Sequence, residues 1–155
     1  MRSTLLVLLL TLLLCVVNVE SVAVEKQHGF SNEVNWLSDL QEAKSLSKQN
    51  GKPILVLISE TWCHACVHLK RSIYDNQDFI RKSRDFVMLQ IGNKAAPSAY
   101  DIGGEYVPRV FITSPSGQVQ EHVINKNARD EYKYYYKNAA ELISTMESVD
   151  IKEEL

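Results

Sequence analysis

"PILVLISETWCHAC", Pro53 to Cys66, decides the fold. Its first half, Pro53 to Ser59, is an unbroken run of leucine and β-branched residues. A run that short and that apolar predicts a strand buried on both faces, inside a mixed or parallel sheet. The second half changes period. From Cys63 to about Lys82 the pattern is helical, with Ala65, Leu69, Ile73 and Phe79-Ile80 on the apolar side. Two cysteines three positions apart thus fall where a buried strand ends and a helix begins.

That position has chemical consequences. A helix N-terminus carries unpaired N–H groups and a partial positive charge. Cysteines held there ionise below the free value of about 8.5. Cys63, at the helix start, is therefore the expected nucleophile, and Cys66, one turn deeper, the resolving thiol. Exchange would pass through a mixed disulfide. His64 lies between them and either adds positive charge beside the sulfur or faces solvent without effect. Trp62 either caps the site with apolar surface or packs at the strand end.

Two other uses of the pair fit less well. A structural zinc site takes four ligands, commonly two pairs from separate segments. Beyond Cys63, His64, Cys66 and His68 there remain only His28 and His122, each alone, so no metal is expected. A disulfide closing so small a loop removes little chain entropy and is a poor staple.

Outward from this stretch the elements follow in order. Upstream, Asn32 can cap a helix carrying Val34, Leu37, Leu40, Ala43 and Leu46, stopped by Asn50-Gly51 and Lys52-Pro53. Downstream, "DFVMLQI" (85–91) reads as a second strand and residues 92–107 as loop with a short helix. "RVFITS" (109–114) reads as a third strand, Pro115-Ser116-Gly117 as a turn, and "QVQEHVI" (118–124) as its hairpin partner. The tyrosine-rich run "DEYKYYYKN" (130–138) either packs the last loop on the sheet or offers a sticky surface. A final helix begins near Asn138, with Ala140, Leu142, Ile143 and Met146 on its apolar side. This is one layered α/β domain, with its site at the carboxyl end of the first buried strand.

The ends of the chain give an address. Arg2 precedes an apolar run from Leu5 to Val17, with small residues at Ser21 and Ala23. The run falls short of the roughly 20 residues a membrane span needs. Residues 1–23 therefore read as a cleaved secretory signal peptide, leaving no stable membrane anchor, with a retained signal anchor as the alternative, and 24–31 as a flexible lead-in. The chain ends "KEEL": Lys152, Glu153, Glu154 and Leu155, one conservative step from the tetrapeptide that returns proteins to the endoplasmic reticulum (ER). Residues 150–155 are read as a tail carrying that signal. With Cys15 in the signal run, Cys63 and Cys66 have only each other as partners in an oxidising compartment. A net charge of −2 argues against nucleic acid as a partner.

"TWCHAC" after a buried strand, then "YVPRVF" opening a later one, resembles the thioredoxin superfamily. "GKPILVLI", "GGEYVPRVF", "PSGQV", "YKYYY" and the tail narrow the resemblance to its ER-resident, single-domain type and the anterior-gradient relatives. The resemblance implies a three-layer fold over residues 32–149, a central mixed β-sheet with helices on both faces. It implies a cis Pro108, preceded by Val107, facing the cysteines, with Trp62, His64, Val107 and Pro108 tuning the redox pair or binding substrate. The implied function is thiol–disulfide exchange in the ER lumen through a Cys63–Cys66 redox-active disulfide, with no other cofactor. Implied partners are folding secretory proteins, glutathione or ER oxidases, and the ER-return receptor. The alternative is a thioredoxin-fold adaptor or chaperone that binds secretory clients with little turnover.

Three features depart from the superfamily pattern. Leu57 stands where thioredoxin and protein disulfide isomerase bury a carboxylate, so Cys66 needs water or another base, with Glu60 the nearest candidate. Arg71 stands where the following helix has a proline. His64-Ala65 matches neither Gly-Pro nor Gly-His between the cysteines. The expected potential is nearer the ER range of about −180 to −210 mV than thioredoxin's roughly −270 mV.

Overall fold

The computed structural model describes residues 31–149. The segment read as a signal peptide, most of the one read as a lead-in, and the KEEL tail lie outside the described residues. The elements run β1 (Trp36–Leu37), α1 (Leu40–Asn50), β2 (Ile54–Ile58), α2 (His64–Tyr74), α3 (Gln77–Ser83), β3 (Val87–Ile91), β4 (Arg109–Thr113) and α4 (Ala139–Glu147). Two short 3₁₀ turns, Asn93–Ala95 and Ser98–Tyr100, fill the loop before β4, and a third, Asp130–Tyr132, precedes α4.

The sheet order is β1-β3-β2-β4. β3 runs parallel to both β1 and β2, and β4 runs antiparallel to β2, with Leu57 opposite Val110 and Ile58 opposite Arg109. Because side chains alternate along a strand, β2 feeds two cores. Leu55 and Leu57 join Leu69 and Ile73 of α2, Phe79 and Ile80 of α3, and Leu142 and Met146 of α4. Ile54, Val56 and Ile58 face the other way, against Ala43 of α1, Tyr100, Phe111 and Tyr134. Every β2 residue is buried, which is what an unbroken apolar run demands. This is the three-layer, mixed-sheet arrangement, with helices on both faces.

Three expectations need correction. The first helix does not start at Asn32. Trp36–Leu37 pair with Met88 and Leu89 as an edge strand, and Asp39 caps α1 by accepting the Glu42 N–H at 2.7 Å. Trp36 stacks on Phe79, with ring centroids 6.4 Å apart, so the core claims it as a strand residue. The helix after the cysteines is two helices, because Asn76 accepts the Phe79 N–H at 2.9 Å and starts a new one. Residues 118–124 do not form a full partner strand. One bridge, Thr113 to Val119, and the Gln120 N–H to the Ile112 carbonyl are made before the chain turns at Glu121-His122.

Gly51 ends α1 at φ 64°, the left-handed conformation glycine adopts without a Cβ clash. The tyrosine run packs for the most part. Tyr134 and Tyr136 are buried, and the Tyr134 hydroxyl donates to the Glu121 carbonyl rather than to water. Tyr132 is exposed and meets Tyr106 edge-on at 4.9 Å.

Candidate active site

β2 ends at Ile58, and Ser59 still donates to the Ile91 carbonyl at 3.1 Å, so the chain leaves the sheet in a fixed direction. Four residues later Cys63 takes an extended conformation, φ −86° and ψ 113°, and caps α2. Its Sγ accepts the Cys66 N–H at 3.1 Å. The sulfur thus occupies the place of the usual capping oxygen, at the end of the helix where backbone dipoles favour negative charge. On its other side the Cys63 thiol donates to the Val107 carbonyl at 3.5 Å. The Val107–Pro108 peptide is cis, as the resemblance implies. Sequence-distant groups, one from the start of α2 and one from the entrance to β4, therefore meet on one sulfur.

The two thiols are free and differ in environment. Cys63 is 7% exposed and Cys66 1%. Burial pushes the Cys66 thiol up from its ordinary 9.0 to about 12, and the neighbouring Cys63 adds to the rise. A Glu60 backbone contact and the charge of Lys70 pull the other way. Leu57, where a carboxylate would stand, is fully buried in the apolar core that also holds Leu69 and Val110. No buried acid there can take the Cys66 proton.

The carboxylate of Glu60, the candidate nearest in sequence, is engaged with a different segment. It accepts the Asn93 N–H at 2.7 Å, while the Glu60 carbonyl accepts the Cys63 N–H at 3.4 Å. Glu60 holds the cysteine loop in place.

Trp62 is 73% exposed, so packing at the strand end is not its role; it stands as apolar surface beside the nucleophile position. His64 and His68 are exposed on α2. Among the described residues, no three His, Cys, Asp or Glu side chains converge as a metal site would need. Neither is any helix there long and apolar enough to cross a membrane.

Sequence reasoning missed several neighbours of the site. Lys70 lies four residues after Cys66, hence on the same helix face, a spacing that could have flagged it. Burial lowers its pKa, and the two cysteine charges draw it back up. Tyr135 is half-buried; burial raises its pKa and the charges of both cysteines add to the rise. Asn93 and Arg109 carry no local signal at all.

The fold and the CxxC pair fit one class, and comparison with known proteins agrees. A family model described as thioredoxin-like matches residues 35–115, and the chain belongs to that family. Among its relatives, anterior gradient protein 3 of Mus musculus is 23% identical over 149 residues, spanning 88% of this chain and 90% of that protein. Anterior gradient protein 1 of Xenopus tropicalis is 26% identical over 119 residues, covering 76% of this chain and 64% of that one. The human anterior gradient protein 2 homolog is 24% identical over 118 residues, covering 76% and 67%. The chain thus spans only about two thirds of the latter two. A solved structure described as a DsbH oxidoreductase superposes with a TM-score of 0.51 at 18% identity, covering 81% of this chain and 92% of that one, and shares its fold.

Proposed function

We propose that this chain is a thiol–disulfide oxidoreductase of the ER lumen that exchanges disulfides with folding secretory proteins through Cys63 and Cys66. One observation carries the reading: the Cys63 sulfur sits at the start of α2, held by the Cys66 N–H at 3.1 Å, with the Val107 carbonyl across from it. In the reducing direction, the Cys63 thiolate attacks one sulfur of a client disulfide. That S–S bond breaks, a Cys63–client mixed disulfide forms, and the departing client sulfur takes a proton. Cys66 then loses its proton and attacks Cys63 Sγ, releasing the second client thiol and leaving the Cys63–Cys66 disulfide. Two electrons and two protons pass to the client, and the reverse sequence oxidises it.

The pair needs no further cofactor. Glutathione or an ER oxidase resets it. Exposed Trp62 gives a client an apolar surface beside the sulfur, and Val107 and His64 border it. The signal-like first 23 residues and the KEEL ending support the compartment and the ER-return receptor as a partner.

Equilibration in glutathione buffers tests the activity. The expected potential lies near about −180 to −210 mV; a value at or below roughly −270 mV contradicts the reading.

One observation favours a second reading, a client-holding adaptor. Cys66 is pushed up to about 12, with a leucine where a base would help. Slow resolution would prolong the mixed disulfide. Comparing wild type with Cys66→Ala in cells separates the two. Client adducts that accumulate only in the variant mean turnover; equal adducts in both mean holding.

A further inference from the structure

Arg109 opens β4 directly after the Val107–Pro108 pair and is 2% exposed. No carboxylate among the described residues forms a salt bridge with it, and the charges of Asp101 and Glu105 act on it only from farther off. Its Nε is also the one buried side-chain nitrogen or oxygen there without a hydrogen-bond partner. Burying a guanidinium on those terms is costly. A strand slot packed against Tyr100 and Phe111 would take an aliphatic side chain more cheaply.

What the guanidinium does make is specific. Nη1 donates to the Tyr100 carbonyl at 2.9 Å and to the Gly104 carbonyl. Nη2 donates to Asn93 Oδ1 at 2.7 Å. Asn93 in turn donates its N–H to the Glu60 carboxylate at 2.7 Å, and Glu60 accepts the Cys63 N–H on its carbonyl at 3.4 Å. The circuit closes through Cys63 Sγ and the Val107 carbonyl, 3.5 Å apart, two residues before Arg109. One planar fork thus ties the cysteine loop, the 93–104 loop and the entrance to β4.

We propose that Arg109, acting through Asn93 and Glu60, is a positioning residue that fixes the Val107 carbonyl against Cys63 Sγ and so sets the dithiol–disulfide balance of the pair. It rests on the oxidoreductase reading but adds the device that holds the site's two halves in register. The carbonyl accepts the Cys63 thiol proton, so it stabilises the dithiol. Letting it drift favours the disulfide. The reaction read out is protein dithiol plus glutathione disulfide giving protein disulfide plus two glutathione thiols.

The test is the glutathione equilibrium constant of wild type, Arg109→Lys, Asn93→Ala and Asn93→Asp, each checked for folding by thermal melting. Lysine keeps the charge but cannot span the fork; alanine removes the side-chain amide, Oδ1 acceptor included, and keeps the backbone N–H that reaches Glu60. The first two variants should shift the constant toward the disulfide by about three- to tenfold, the worth of one hydrogen bond. Asn93→Asp, which keeps an acceptor oxygen, should return it to within about twofold of wild type. Should Arg109→Lys not fold, Asn93→Ala decides. Folded variants with the wild-type constant, or a shift toward the dithiol, overturn the proposal. A wild-type chain that never forms the disulfide in oxidised glutathione sinks the oxidoreductase reading, and the positioning role with it, by a separate observation.

Discussion

Helix α4 begins at Asn138, whose side-chain oxygen accepts the Glu141 N–H at 3.1 Å. Helix α2 begins at Cys63, whose sulfur accepts the Cys66 N–H at the same 3.1 Å. The backbone device is one and the same: an extended residue whose side chain turns back to the third N–H of the helix. At Asn138 it does only structural work. At Cys63 the atom in that place can be oxidised and can attack. The Val107 carbonyl contacts it from the far side, and Cys66, one turn further along α2, is buried. A helix start becomes a reactive site when sulfur replaces oxygen at the cap and a second segment is brought to face it.

The largest expected effect comes from undoing that replacement. Cys63→Ser keeps an oxygen cap, so stability should move by less than about 1 kcal/mol in urea melts. Turnover of a disulfide substrate should fall to background. Next, Leu57→Glu puts a carboxylate at the buried β2 position where the superfamily pattern carries one. Burying that group without a partner should cost about 3–5 kcal/mol of stability. It should also shorten the life of the mixed disulfide in stopped-flow mixing; an unchanged lifetime would show that proton removal from Cys66 is not limiting.

Asn138→Ala breaks the structural cap alone. It should lower unfolding free energy by about 1 kcal/mol with exchange rates intact. A matching loss of exchange would mean the two helix starts are not independent. The smallest effect belongs to Arg81→Ala, which removes an exposed partner of Asp78 and should change stability by less than about 0.5 kcal/mol.

The pH dependence of Cys66 sharpens the contrast between the two thiols. Its folded value is raised to about 12 from 9.0, with burial the leading cause. In Cys63→Ala protein the burial remains, so alkylation of Cys66 should stay slow well past pH 9 and climb only far above it. The denatured chain should climb around 9.0. Sign follows from linkage: the folded state keeps a proton that the unfolded state gives up. The reduced protein therefore loses stability from pH 9 upward to about 12.

What could be read from the sequence followed from local pattern. β2 showed as an apolar run because both its faces are buried, and Asn138 and Gly51 showed as helix ends because capping is a one-residue signal. The position of Cys63 at a strand–helix junction followed from the change of period there. The failures were tertiary. Val34 and Leu37 fit helical spacing, yet Trp36–Leu37 pair with β3, a partner some fifty residues away in the chain. Val119, Glu121 and Val123 alternate like a strand, but the chain turns after one bridge. Arg109 was visible only as the start of a strand and as part of "YVPRVF". Its work depends on Asn93, Tyr100 and Gly104 converging on it, which no spacing rule encodes.

The central claim is that the two sulfurs are unequal, the one at the start of α2 reactive and the one beneath it shielded. Limited alkylation of the fully reduced wild-type chain at neutral pH, followed by peptide mapping, tests it directly. The account predicts label on Cys63 with Cys66 nearly untouched until the protein is denatured. Equal labelling, or label arriving first on Cys66, would contradict it.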